Sequence, residues 1–527
     1  MAAAVSKSWS ARARACRVWL FAAACGVGTA QGPAPVGTAA VATNVSDRIR
    51  DLVATGEQAL QAEDPLRSWR TFQTVAQQAP QLHEGLVGLG RSHLLLGSAA
   101  TAIAYAECAL QRDPERQDAM TLAVRARIRA REFDAAVRCA EAFVARSQAP
   151  DAELLAAQAS ALFRVQRIDD AATVYRAVLA RDPGHAEAHL RLGSGLSAPR
   201  PVVVTVELQR AAAASRAGRL GEAVQALGQV LAADADNPVA HRLLGEVLLM
   251  QRTLASMAQS DPAFAQLRAA LPMPDATGVP IADFVPAYVL LDGDRRAVVE
   301  RALLLFATRL PKLIAIGGRH DLLLETERTT DGEARAMLRG RRTFDGRVWD
   351  DVRGIGGLHA ATGIEALDDA AQFGFDTLVH EVAHQVHYFA LPPVDRARIR
   401  ALYLAAKAQG RCLDFYAATN EAEYFGQGVE AFASLGKRPG GETTHGHTRF
   451  ELQRIDPDLH DFIAGIVDAD PLRLGARDQL LQAAIAVALR CGRPADAAAA
   501  AAMLPAGPLR TQALLRAAAD LRVQRSL

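Results

Sequence analysis

The sequence predicts a multidomain chain: an all-α repeat solenoid over residues 45–260, an α+β domain over 275–470 and a helical cap over 471–527. Three observations predict it. Proline-ended phrases recur at near-constant spacing through the first half, aromatic residues are only 5% of a chain rich in alanine, and a glycine-bearing stretch precedes an apolar helical run in the second half. Small residues suit close-packed helices, whereas an all-β sandwich leans on β-branched and aromatic side chains. At 527 residues and 56.1 kDa the chain exceeds what one hydrophobic core organises. With 59 Lys and Arg against 58 Asp and Glu, the bulk charge favours neither nucleic acid nor an anionic membrane surface as a partner. Half the residues are apolar and 22% charged, which excludes a disordered chain.

Residues 1–30 read as an export signal: Lys7, Arg12, Arg14 and Arg17 precede the apolar run Val18 to Ala24, and Gly28-Thr29-Ala30 offers a cleavage site. The expected location is periplasmic or extracellular. Cys25, between Ala24 and Gly26, is a candidate lipid acceptor, so a membrane is expected as a partner only through such an anchor. Residues 31–44, mostly Gly, Pro, Ala, Thr and Val, read as a flexible linker. No segment has the ~20 apolar residues of a spanning helix. Beyond the signal, Cys108, Cys139, Cys412 and Cys491 are too few and scattered for a disulfide framework. Buried thiols are expected, with room for one bridge.

In the array, Pro80, Pro114, Pro150 and Pro183 are separated by 34, 36 and 33 residues, the tetratricopeptide period. A second phrase marks the turn inside each hairpin: Gly97-Ser98-Ala99-Ala100, Glu132-Phe133-Asp134-Ala135-Ala136 and Arg167-Ile168-Asp169-Asp170-Ala171-Ala172. The phrase Ser197-Ala198-Pro199-Arg200-Pro201 interrupts the series, which resumes with Arg219-Leu220-Gly221-Glu222-Ala223 and ends at Asn237-Pro238. Stacked hairpins share one core and leave a concave face that can hold an extended protein segment, so a protein partner on the array is expected. Around Cys491-Gly492-Arg493-Pro494 a similar turn joins two helices of the cap.

Between them, His380-Glu381-Val382-Ala383-His384 lies in the run Thr377 to Phe389, which has apolar residues at helical spacing. One turn apart, the two imidazoles leave one helix face and can bind a Zn²⁺ ion at about 2.0–2.1 Å. Glu381 then stands beside the ion as general base for a zinc-bound water. His387 lies about 10 Å along the helix axis from His380, which removes it from one tetrahedral set and leaves it to a supporting place. A second helix, capped by Thr419 or Asn420, carries Glu423 and Glu430 on one face. Either can be the third ligand while the other orients a histidine.

This helix pair, with Tyr416 and then Thr419-Asn420-Glu421-Ala422-Glu423-Tyr424-Phe425 following the H-E-x-x-H run, resembles the zincin-like catalytic domain of anthrax lethal factor and the related Pro-Pro endopeptidases. The resemblance implies zinc held by His380, His384 and Glu423, with Tyr416 donating to the oxyanion. Gln427 stands where that family has a second glutamate, and a Glu-Ala-Phe phrase follows at Glu430. Two further stretches fit such a domain. Glycines at 346, 354, 356 and 357 permit a strand edge where substrate can lie, and His445 and His447 are within reach of the cleft.

Taken together, the sequence predicts an exported zinc endopeptidase hydrolysing a protein or peptide substrate with Glu381 as base, its array recruiting substrate or a partner. The alternative from a different class is a non-catalytic cell-envelope scaffold with protein-binding repeats and a structural zinc site.

Overall fold

The computed structural model describes residues 38–196, 198–259, 262–343, 345–439 and 446–525. The signal and Cys25 lie outside these residues, as does His445. Residues 38–44, expected in the linker, open the first helix, Thr38–Gln61.

Helical hairpins stack through the first half. They pair Thr38–Gln61 with Pro65–Gln78, His83–Leu95 with Ala99–Arg112, Gln117–Arg129 with Phe133–Arg146, and Ala152–Arg164 with Ile168–Leu179. The turn inside each hairpin places one residue in the left-handed region: Glu63, Gly97, Arg131 and Gln166, at φ of 50°, 79°, 64° and 62°. This is the physical content of the second repeated phrase, since the chain reverses over a few residues only if one of them takes positive φ. Alanines 102, 106, 109, 119, 123, 136, 140, 156 and 159 are buried between hairpins, with Phe143 and Tyr175 filling the wider gaps. Dispersion over such close contacts and burial of the shared face hold the stack, because no single hairpin hides its own apolar side.

At the interruption, Ala186–Arg191 runs into a π-turn, Leu192–Leu196. The hairpin Val206–Arg216 and Leu220–Ala233 follows, and Pro238–Gln259 packs back on Ala186–Arg191. Two glycines allow this return. A Cβ at Gly193 would lie 2.1 Å from the Arg242 backbone nitrogen, and one at Gly245 would lie 2.4 Å from that of Leu190.

The second half is also mainly helical. Its single sheet among the described residues has the order β1-β3-β2, with β1 (Arg319–Leu323) parallel to β3 (His359–Gly363) and β2 (Gly354–Ile355) antiparallel to it. The strands hold 5, 2 and 5 residues. The expected α+β zincin-like catalytic domain is therefore corrected: the chain is almost entirely a helical repeat solenoid. The glycine-bearing stretch before the His380 helix forms turns and one two-residue strand, because Gly346 and Gly357 take positive φ of 86° and 118° and break the extended run.

The C-terminal segment carries the helices Arg477–Arg490, Pro494–Ala502 and Pro508–Arg525. It docks on the first hairpin, where Arg490 donates to the carbonyls of Ala62 and Glu63 at 2.8 and 3.0 Å. The four cysteines beyond the signal form no disulfide, and Cys491 is buried while the other three are half-buried. No described helix is long and apolar enough to cross a membrane.

Candidate metal centre

Two helices bring the site together. Thr377–Gln385 starts at Asp376, whose Oδ1 accepts the Val379 N–H at 3.0 Å. Glu421–Ala433 starts at Asn420, whose side-chain oxygen accepts the N–H groups of Ala422 and Glu423, both at 3.0 Å. Such caps satisfy the first orphan donors and fix where each helix begins, hence where its side chains point. The helices meet at Gly426, where a Cβ would lie 2.9 Å from the His380 ring and 3.0 Å from that of His384. Only glycine lets the second helix rest on both imidazoles.

His380, His384 and Glu423 converge. The two Nε2 atoms are 2.9 Å apart, and Glu423 Oε2 lies 3.0 Å from that of His380 and 3.6 Å from that of His384. All three ligand atoms fall within 4.8 Å of one another, and both histidines are buried. Two imidazole nitrogens and one carboxylate oxygen are a zinc donor set. A tetrahedral ion held by these three groups keeps one position for water or for a donor from another molecule. Burial alone pushes the Glu423 carboxyl up, but hydrogen bonds and charge from His380 and His384 outweigh it and hold the group at about 2. His380 moves the other way: burial lowers it, and the Glu423 and Glu381 carboxylates raise it further.

The remaining expected residues fall into place around this centre. Glu381 is buried and its carboxyl is pushed up by desolvation. Its oxygens lie so near Gly354 and Gly356 that a Cβ there would approach to 2.9 and 3.3 Å. Tyr416 faces His380 with ring centroids 6.4 Å apart, and burial pushes its hydroxyl up. Glu430, fully buried, has no hydrogen bond to either histidine. It accepts the Asp376 N–H at 3.0 Å and pairs with Lys437, so it fixes the start of the His380 helix. His387 is outside the ligand group and lies on Phe425 with centroids 5.3 Å apart, its pKa lowered to about 4 by burial.

Sequence reading missed Gly426, Asp376 and Lys437. Spacing had no way to show that a glycine faces two imidazoles across a helix contact. It also left His447 as a loop residue near the cleft. In the structure His447 is clamped between Asp414 and Glu451, each at 3.1 Å, which outweigh the effect of burial and raise it to about 9. The loop it secures runs on to Phe415, which stacks edge-on against Phe133 of the array with centroids 5.6 Å apart. A second loop reaches the array where the Val348 N–H donates to the Gly195 carbonyl at 2.8 Å.

The chain matches the tetratricopeptide repeat family over residues 156–194 and 208–258. No curated protein matches it. Among solved structures it is similar to MamA from Desulfovibrio magneticus RS-1, at 19% identity over 28% of this chain and 82% of that one, with a TM-score of 0.24. A thermophilic tetratricopeptide protein of Thermus thermophilus shares 19% identity over 38% of this chain and 99% of that one, with a TM-score of 0.27. Yeast Tom70 shares 11% identity over 91% of this chain and 97% of that one, with a TM-score of 0.22. The family match over those residues and the stacked hairpins carry the tetratricopeptide-type reading of the array.

The resemblance to lethal factor and the Pro-Pro endopeptidases is corrected on these findings. The fold is a helical repeat solenoid and the matched family is the tetratricopeptide repeat. The zinc-endopeptidase function, the hydrolase class and the protease reading are corrected with it. What stands is a tetratricopeptide-type array, a module suited to a protein partner.

Proposed function

We propose that the protein is an exported, non-catalytic scaffold whose repeats hold an extended segment of a protein partner and whose second half carries a zinc ion on His380, His384 and Glu423. The observation that carries the reading is the run of stacked hairpins with first helices on one shared face. Arg125, on one such helix, reaches Glu153 at 3.3 Å and Glu187 at 3.2 Å on the next two, so that face is continuous and charged across three repeats. The cluster of His380, His384 and Glu423 supports the same role, because an ion held there would tie together two helices whose connecting segment meets the array through Phe415.

Screening the purified chain against overlapping peptides tests the reading. Extended peptides bind, and replacing by Ala both Arg125 and Arg91, which lies on the first helix His83–Leu95 and pairs with Glu57 at 2.8 Å, weakens them about tenfold or more, as loss of charged contacts in a partner groove does. Failure of every peptide, or identical binding by the double variant, contradicts it.

A further inference from the structure

The cap docks on the first repeat along a cleft of ≈ 570 Å³, bordered by Pro65–Gln78, Ala263–Ala270, Arg477–Arg490 and Pro508–Arg525. Arg67, Arg70, Arg490 and Arg516 line it, against only Asp64 and Asp520. Both carboxylates are occupied: Asp520 lies 3.6 Å from Arg70, and Asp64 lies 3.8 Å from Arg490. Arg67 and Arg516 form no ion pair among the described residues, so the cleft holds two positive charges in excess. The chain as a whole carries only +1, so this is a local concentration and not part of a basic surface. We propose that the cleft is a binding site for a dianionic phosphate group on a small organic body.

The chemistry of the cleft points to that class. A guanidinium presents a planar fork that meets a phosphate bidentately, and two such forks match a dianion. Pro262 and Ala486 line the same cleft with apolar surface for the organic part, and the volume is that of an ordinary small-ligand site. Two sources present this chemistry, a soluble phosphate monoester and the headgroup of an anionic phospholipid.

The full chain is titrated calorimetrically with glycerol 3-phosphate and, in parallel, floated with phosphatidylcholine vesicles containing phosphatidic acid. Binding of either is expected, falling about ten- to a hundredfold in Arg67→Ala combined with Arg516→Ala, the loss typical of charged hydrogen bonds. The pair Arg67→Lys and Arg516→Lys keeps the charge and should bind with intermediate affinity. A thermal melt shows that each variant is folded. Binding of the ester alone assigns a soluble ligand, and binding of the vesicles alone assigns a headgroup. If neither binds, or the Ala pair binds both as well as the unmodified chain, the proposal is overturned.

Discussion

Among the described residues, two pairs of buried histidines meet nitrogen to nitrogen, one in each half, and their partners set them apart. His380 and His384 approach with their Nε2 atoms 2.9 Å apart, and Glu423 closes on both. His189 and His241 approach with their Nδ1 atoms 2.8 Å apart, but the far nitrogen of each faces a backbone carbonyl, Pro183 and Ala235, both at 2.9 Å. They occupy the same place in successive repeat units, each six residues after its carbonyl partner. The first pair has an anionic third donor and the geometry of an ion site. The second has no carboxylate closing on both rings among the described residues and lies where glycines bring two backbones together, which makes it a packing joint. Two imidazoles in contact do not make a candidate metal centre; the third, charged donor sets His380, His384 and Glu423 apart.

The largest effect that sharpens this contrast is steric. Gly193→Ala puts a methyl group 2.1 Å from a backbone nitrogen, which nothing flexible can relieve. It is expected to destabilise the array joint by about 3 kcal/mol or more, read by denaturant unfolding. Gly426→Ala presses on the ring edges at 2.9 Å, and side chains yield where a backbone does not. Its expected cost is smaller, about 1–2 kcal/mol, with zinc affinity down about 10- to 100-fold because both ligands are displaced. Equal stability losses in the two variants would dissolve the distinction between a rigid joint and an ion site.

The smaller effects are in pH dependence. His447 is raised to about 9 by Asp414 and Glu451, above its unfolded value of about 6.5. Its contribution is therefore complete below about pH 6.5 and lost as pH rises towards 9. His447→Gln should abolish that alkaline loss in thermal melts. Burial lowers His241 to about 4, so the joint has the opposite sign: the unfolded chain takes up protons first, and stability falls as pH drops from about 6.5 towards 4. His241→Leu should flatten that acid arm. An unchanged alkaline arm in His447→Gln would mean that the clamp does not form.

The array was legible because its determinants are local. Prolines and turn phrases at a near-constant spacing report left-handed residues that each hairpin needs, and the structure places them at Gly97, Arg131, Gln166 and Gly218. That His380 and His384 share one helix face was equally visible, since i and i+4 on one helix settle which way both imidazoles point. The surroundings were not legible. Whether Glu430 touches a histidine or the Asp376 backbone depends on how two helices cross, which no spacing encodes. The fold of the second half misled for a related reason: about 55 residues of motif similarity fix a helix pair and say little about the sheet, which proved to be three short strands in a helical chain. His447 escaped because Asp414, 33 residues before it, reaches the ring only through tertiary packing, although Glu451 lies just four residues on.

The most direct test is the zinc content of the purified chain, its His384→Ala variant and its His241→Ala variant, measured by elemental analysis after dialysis against trace zinc. About one ion per chain is expected in the unmodified protein and in His241→Ala, and none in His384→Ala, with a chelator removing the ion from the first two. Zinc retained in His384→Ala, or lost from His241→Ala while that variant stays folded, would contradict the assignment of the ion to His380, His384 and Glu423.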